Sequence, residues 1–561
     1  MVGTKVLLRC GLVMIAAALV GNLGGCGGGA TGSGSSASPP PVIYIAFQNT
    51  PPSVMQTDKT AKVSAAVAFD NSNAGVDWKC SPVGACGSIS PTHTASLATA
   101  TYTAPSSPGS GPVTISATAT ADSAKAVSAQ AIITPIQHIV VIFQENRSPD
   151  NLFQDPNLIS AGADIVKVGI DHLGQQIPLT PRPLTGNFDP DHSHTAFLNM
   201  YDNGKMDGAD LNSGYCLGKC PPFSEFSSVL PSQVGPYFQM AEQYTFTDRM
   251  FQTNQGDSFP AHQYIIAGTS AFTATSNLLL AENPFGVDKA GQDAGCTSPP
   301  QEVAPFINIT TGGFTSLYPC LEHPTLTDLF DSNQISWRYY TPDARFLWTA
   351  PNAIRHMCVP QTVNGKLICT GADWNNDVIL NNTQVLTDIA AGQLASVTWV
   401  IPTGQTSDHP QENDGSGPAW VASIVNAVGG SAYWSNTAIF ITWDDWGGFY
   451  DHVPPFNIRN YYEYGFRVPM IVVSPYAKAA YISHVPHHFG SILKYIEETF
   501  SLPAVGAGIR VKYADAYPDT DDLSDCFDYT QTPQVFQPIQ ASMGPKHFIK
   551  DKRPPLPPDN D

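Results

Sequence analysis

The chain has 561 residues, with 27 Lys and Arg against 47 Asp and Glu, a formal net charge of −20. That sign argues against nucleic-acid binding, which needs a basic footprint, and against a polybasic membrane-surface protein. Only 13% of residues are charged while 42% are hydrophobic, so the composition fits a loop-rich globular protein of more than one domain that places its few charges selectively.

The first segment reads as a targeting sequence. Lys5 and Arg9 precede the apolar run Cys10 to Val20, which is too short to span a bilayer as a stable helix. Leu23-Gly24-Gly25-Cys26 resembles the lipobox of bacterial lipoproteins. That resemblance implies a signal peptide over 1–25, lipidation of Cys26, and a location in the bacterial cell envelope, anchored to the membrane through that residue. A Gly/Ser/Pro tether over 26–41 follows. Export implies an oxidising compartment. Close spacing then suggests four disulfides, Cys80–Cys86, Cys216–Cys220, Cys296–Cys320 and Cys358–Cys369, with Cys526 left over. Cys216 and Cys220 could also begin a zinc site, but no second Cys/His pair stands at matching spacing.

From residue 42 to 135 the chain is rich in Ala, Thr, Ser and Val, with short alternating runs at Ala61–Phe69, Ala98–Thr103, Pro112–Ala119 and Ala126–Ile133. Turn signals separate them at the spacing of a β-sandwich, and Trp78 supplies a core aromatic. This stretch resembles bacterial Ig-like repeats and reads as a spacer.

After Ile136 the pattern changes to α/β. Strand-like apolar runs occur at His138–Phe143, Ile335–Tyr340, Ser396–Ile401, Thr437–Trp443 and Val468–Val473. Helical patterns lie between them, including Gly417–Val428 and Ser491–Phe500. Strands alternating with helices predict a parallel sheet covered on both faces, with a site beyond the carboxyl ends of its strands. The segment 506–561 is acidic and Pro-rich and reads as an irregular tail.

The first strand empties into Glu145-Asn146-Arg147-Ser148-Pro149-Asp150, and the fourth into Asp444-Asp445-Trp446-Gly447-Gly448-Phe449-Tyr450-Asp451-His452. A carboxylate beside an amide oxygen suits a hard divalent cation. Two consecutive carboxylates at a buried strand end repel each other unless a cation lies between them, and the Gly-Gly lets backbone approach. Between these motifs, Ser258-Phe-Pro-Ala-His262 precedes an apolar run, which predicts a helix with Ser258 just before its start. There a helix dipole and N–H groups favour an alkoxide and an incoming phosphoryl group. His194 in Asp189-Pro-Asp-His-Ser-His, His409 in Ser-Asp-His-Pro, and His452 are candidates to meet phosphate oxygens or protonate a leaving group. His484, His487 and His488 read as a surface loop.

Together, Glu-Asn-Arg-Ser-x-Asp, Ser-x-Pro-x-His, Ser-Asp-His-Pro and Trp-Asp-Asp-x-Gly-Gly-x-Tyr-Asp-His resemble the bacterial phosphoesterase family. That family holds phosphatidylcholine-type phospholipases C and AcpA-like acid phosphatases, within the alkaline phosphatase superfamily. The resemblance covers about 136–505. It implies an alkaline-phosphatase-like α/β/α sandwich with a mostly parallel central sheet. It implies one or more divalent metal ions held by Glu145, Asn146, Asp444, Asp445 and Ser258, with Ser258 the nucleophile of a phosphoserine mechanism. His194 and His409 carry over as phosphate contacts, with His262 and His452 beside them. The substrate implied is a phosphate mono- or diester, a small molecule or a phospholipid. Pro149 stands where the family usually has Phe, which should alter packing rather than ligation. The alternatives are a surface-binding lipoprotein on a non-catalytic version of the fold, and a sulfatase-like hydrolase, disfavoured because His262 replaces the Arg of that signature.

Overall fold

The computed structural model describes residues 42–284, 294–509 and 513–558. The signal, the tether and Cys26 lie outside these residues.

Residues 44–134 form two packed sheets. One orders Tyr44–Asn49, Thr60–Ala68, Thr99–Thr103 and Ser88–Ser90; the other orders Val54–Gln56, Ala126–Thr134, Val113–Ala119, Val76–Ser81 and His93–Thr94. The alternation is clean along Val113–Ala119, where Val113, Ile115, Ala117 and Ala119 are buried and the residues between them are not. Trp78 joins this core as expected and donates its indole N–H to Thr94 Oγ1 at 2.9 Å. A buried indole needs such a partner.

The second unit is built on an eight-stranded sheet. Its strands in chain order are β1 (His138–Gln144), β2 (Thr245–Thr247), β3 (Trp337–Tyr340), β4 (Val378–Ile379), β5 (Val397–Val400), β6 (Thr437–Trp443), β7 (Met470–Val473) and β8 (Tyr481–Ser483). The spatial order is β4-β3-β5-β1-β6-β7-β2-β8. All neighbours are parallel except across β7, which pairs antiparallel with both β6 and β2. The sheet is mostly parallel, as expected. An apolar run buried on both faces looks the same in either direction.

The helices fall into two layers. Helices α1 (Gly235–Gln243), α2 (Ser258–Ala267), α3 (Leu326–Asn333), α4 (Gln384–Ala390), α5 (Gly417–Gly429), α6 (Phe489–Thr499) and α7 (Pro545–Lys550) follow one another along the chain. Packing joins α2 with α3 and α6, and separately α1, α4 and α7 with α5. On β6, Phe440 meets Tyr495 of α6 while Trp443 meets Tyr237 of α1. Those positions have opposite parity on a strand, so the two groups cover opposite faces. This is the α/β/α sandwich. The tail is irregular but not detached, because Phe548 of α7 packs on Trp420 of α5.

All four disulfides form as their spacing suggested, so Cys216 and Cys220 bond to each other rather than opening a zinc site. Cys526 is free and buried.

Candidate active site

The site follows from the register of two strands. β1 and β6 pair along their whole length, ending on Gln144 opposite Trp443. The next residues, Glu145 and Asp444, therefore emerge side by side at the carboxyl end of the sheet. Two backbone bonds continue the ladder, Asp444 N to Gln144 O at 3.1 Å and Arg147 N to Asp445 O at 3.0 Å. Asn146 takes a left-handed φ of 59° and donates its backbone N–H to Asp444 Oδ1 at 3.0 Å. Gly447 is required beside it: a Cβ there would stand 2.3 Å from Asn146 O, at a φ of +66°. Pro149 opens a single helical turn capped by Ser148, whose Oγ accepts from Asn151 N.

Helix α2 begins at Ser258, after Asp257 as N-cap. Ser258 Oγ donates to Asp445 Oδ2 at 3.2 Å and lies 3.5 Å from Asn146 Oδ1. One turn on, His262 Nε2 stands 3.3 Å from Glu145 Oε1 and 3.8 Å from Asp444 Oδ2. One backbone donor expected at this helix end is already used, because Phe259 N–H goes to Asn283 Oδ1 at 2.8 Å. The helix dipole still points its positive end at Ser258.

Glu145, Asp444 and Asp445 are wholly buried. Burial, then the charges of its two acidic neighbours, pushes the Glu145 carboxyl well above the ordinary range. Burial and Asp444 do the same to Asp445. His262 is pushed down to about 4 by burial, against the opposing pull of Asp444. Neutral imidazole and anionic oxygens are the ligating forms of these groups. Glu145 Oε1 and Asp444 Oδ2 are buried acceptors with no hydrogen-bond partner. Glu145, His262 and Asp444 together present ligand atoms close enough to share one ion. Orphaned anionic acceptors around an imidazole fit a divalent cation.

Of the two histidines in Asp189-Pro-Asp-His-Ser-His, the structure brings His192 rather than His194 to these carboxylates. His192 Nε2 accepts from Asn146 Nδ2 at 2.9 Å and lies 4.0 Å from Asp445 Oδ2, with Nδ1–H donated to Pro190 O at 2.9 Å. His194 is two residues on, at the start of a helix. Its ring faces Gln255 O and the Phe197, Phe314 and Tyr462 rings. Burial lowers it to about 4. His409 does reach the site: its ring centroid is 6.2 Å from that of His192, and its Nδ1–H is donated to Pro410 O at 2.8 Å. Trp348, absent from the sequence reading, lies 5.9 Å from His409 and 6.5 Å from His262. No motif announces it.

His452 is not among these residues. It bridges Asp150 Oδ2 at 2.7 Å and Asp164 Oδ1 at 3.0 Å, beside Arg467. The Gly-Gly turn carries the chain away between Asp445 and His452. His487 and His488, expected on the surface, are fully buried, whereas the His484 side chain is 57% exposed.

A model of the phosphoesterase family matches residues 136–503. The chain belongs to that family. It is a hydrolase acting on phosphate ester bonds. The chain is 24% identical over 466 residues to phospholipase C B of Mycobacterium tuberculosis, covering 72% of this chain and 80% of that one. It is 31% identical over 424 residues to the non-hemolytic phospholipase C of Burkholderia pseudomallei, covering 66% of this chain and 56% of that one. A solved structure in the alkaline phosphatase superfamily, from Vibrio parahaemolyticus, overlaps 69% of this chain and 70% of its own at 9% identity and a TM-score of 0.30. Among the described residues, no helix is long and apolar enough to cross a membrane.

Proposed function

We propose that this phosphoesterase is a metal-dependent phospholipase C that works through a phosphoserine on Ser258, exported and held at the cell envelope through Cys26. The observation that carries the reading is the Ser258 hydroxyl at a helix N-terminus, 3.2 Å from Asp445 Oδ2, against three buried carboxylates. The relatives named phospholipase C favour a phospholipid diester over a small monoester.

Glu145, Asp444 and His262 would hold the cation, with Asp445, Asn146 and Ser258 beside them. Once bound, the cation neutralises the buried acids and offers a Lewis acid for oxygen charge. Ser258 gives its proton toward Asp445, and Oγ attacks phosphorus in line as the glyceryl C–O oxygen leaves. The helix dipole and the His409 ring, protonated at Nε2, meet the charge that develops on the phosphoryl oxygens. His192 and His409 both have Nδ1–H tied to a carbonyl, and His192 Nε2 already accepts from Asn146, so the nitrogen that carries a transferable proton is His409 Nε2. His409 Nε2–H protonates the departing alcohol, and the neutral ring then takes a proton from the water that breaks the P–Oγ bond, releasing the phosphorylated headgroup as Asp445 returns its proton to Ser258 Oγ. Asn146 Nδ2 on His192 keeps that ring in register with Asp445.

The test is cleavage of phosphatidylcholine, bis-p-nitrophenyl phosphate and p-nitrophenyl phosphate, with and without chelator. Lipid turnover that falls to background on chelation and returns with metal is expected. A Ser258→Ala chain that folds but is inactive, and a phosphorylated Ser258 peptide from quenched wild-type enzyme, complete the case. Retained turnover in Ser258→Ala would remove Ser258 from the role, and cleavage of monoesters alone would make the enzyme a phosphatase.

A further inference from the structure

A second group of metal-ligating side chains lies beside the edge strand β8, apart from the strand ends described above. His487 pairs with Met250 in a short parallel ladder and is fully buried. Across from it, a one-turn helix over Ser524–Cys526 delivers Asp525 and Cys526. A His487 ring nitrogen, an Asp525 oxygen and Cys526 Sγ all lie within 4.8 Å of one another. Asp525 Oδ1 is 3.5 Å from His487 Nε2 and accepts from Cys526 Sγ at 3.6 Å. Asp521 Oδ1 stands 2.8 Å from the other ring nitrogen, Nδ1. Ser483 Oγ bonds both Nε2, at 3.1 Å, and Asp525.

We infer that His487, Asp525 and Cys526 form a second cation site, with Asp521 behind the imidazole, that takes a thiophilic divalent ion of the zinc class. Imidazole, thiolate and carboxylate are the donor types such ions take. A carboxylate on the second ring nitrogen is the arrangement that orients a ligating histidine. The donors are held by backbone: His487 N bonds Arg249 O at 2.9 Å, and Cys526 O accepts from Lys478 N at 2.9 Å and Thr245 Oγ1 at 3.2 Å. Entry is open on one side, where the Asp521 and Asp525 side chains keep 25% and 20% of their surface. All other described cysteines are in disulfides, so Cys526 is the thiol left for a metal. Binding would pin the segment around 521–526 to β2 and β8.

Sulfur makes the site separable from the strand-end carboxylates, which include no cysteine. The full chain carrying Cys10→Ser and Cys26→Ser is stripped with chelator and titrated with Co2+. A sulfur-to-cobalt charge-transfer band that saturates at one equivalent is expected. The band should persist in an Asp445→Asn background and vanish in Cys526→Ser. Asp521→Asn, a partly exposed change that leaves all three donors in place, should weaken Co2+ binding about 10-fold or more. Absence of the band in the parent chain, a band that survives Cys526→Ser, or unchanged affinity in Asp521→Asn would each overturn the site.

Discussion

Arg147 grips the backbone carbonyl of Asp408 twice, through Nε at 2.9 Å and Nη2 at 2.7 Å. This fork ties the residue after Glu145-Asn146 to the residue before His409, joining two halves of the site that are 261 residues apart. Nη1 reaches Asn151 Oδ1 and Nη2 also reaches Leu184 O, so the guanidinium is spent entirely on positioning. Asp408 is fixed in turn, its Oδ2 accepting from Tyr237 OH at 2.8 Å and Trp443 Nε1 at 3.1 Å.

Arg147→Lys should therefore fold but misplace His409. An ammonium has no planar fork to satisfy two directions at once. A shift of about 1 Å at a reacting group can cost on the order of 100-fold, so kcat should fall roughly 10–100-fold with KM little changed. Steady-state kinetics on a soluble phosphodiester, with a thermal melt as control, would show this. A variant within twofold of wild type would mean the fork is only structural.

The buried carboxylates set a pH dependence in the metal-free protein. Glu145 and Asp445 are both displaced upward, first by burial and then by Asp444. A native state that holds protons more tightly than the unfolded chain has its full stability below the ordinary carboxylate range and loses it as pH rises. The chelated protein should thus melt at progressively lower temperature from about pH 4.5 toward neutrality, on the ordinary carboxylate value. Glu145→Gln should flatten that slope while abolishing activity, and saturating cation should flatten it in the wild type. A chelated wild type with no such slope would show that the carboxylates are already compensated.

His192 and His194 provide a paired test of the loop. His192 touches Asn146 and lies near Asp445, whereas His194 packs among aromatic rings. His192→Ala should lower kcat/KM by about 100-fold, the cost of roughly 1 Å of misplacement, because it releases Asn146 beside Asp445. His194→Ala should chiefly cost stability, about 1–3 kcal/mol for a buried side chain with a backbone partner. Equal kinetic losses would mean that His194 reaches the substrate.

The contrast between those two residues marks how far the sequence could be read. Glu145, Asn146, Asp444 and Asp445 were legible because each follows a seven-residue apolar strand, and the carboxyl ends of parallel strands are where such sheets place chemistry. Ser258 was legible from the Pro260 helix-start signal. Strands β2, β4 and β8 were not: two or three residues carry no period. Nor does periodicity decide which of two histidines two apart in an irregular loop faces inward. His487 and His488 escaped for a related reason. Their burial comes from the Met250–Phe251 ladder and the 521–526 segment packing over them, contacts with no local signature.

His452 should behave as a structural cation rather than as a catalytic group. Burial alone would lower its imidazole, but the hydrogen bond and charge of Asp150 outweigh it and raise the ring above its ordinary value. Arg467 anchors the same cluster, through Nε and Nη2 on Asp451 at 2.8 and 2.9 Å. A histidine raised in the native state contributes stability that is full below its ordinary pKa and fades as pH rises through the native value. His452→Asn should accordingly destabilise by about 1.5–3 kcal/mol at mildly acidic pH, the worth of a hydrogen bond to a charged group. The deficit should shrink at alkaline pH, while kcat/KM at a temperature well below the melt stays within a few fold of wild type. Denaturant midpoints at pH 5.5 and 8.5 measure the first part, and diester turnover the second. A variant that keeps its stability at both values but loses turnover would return His452 to the reacting group.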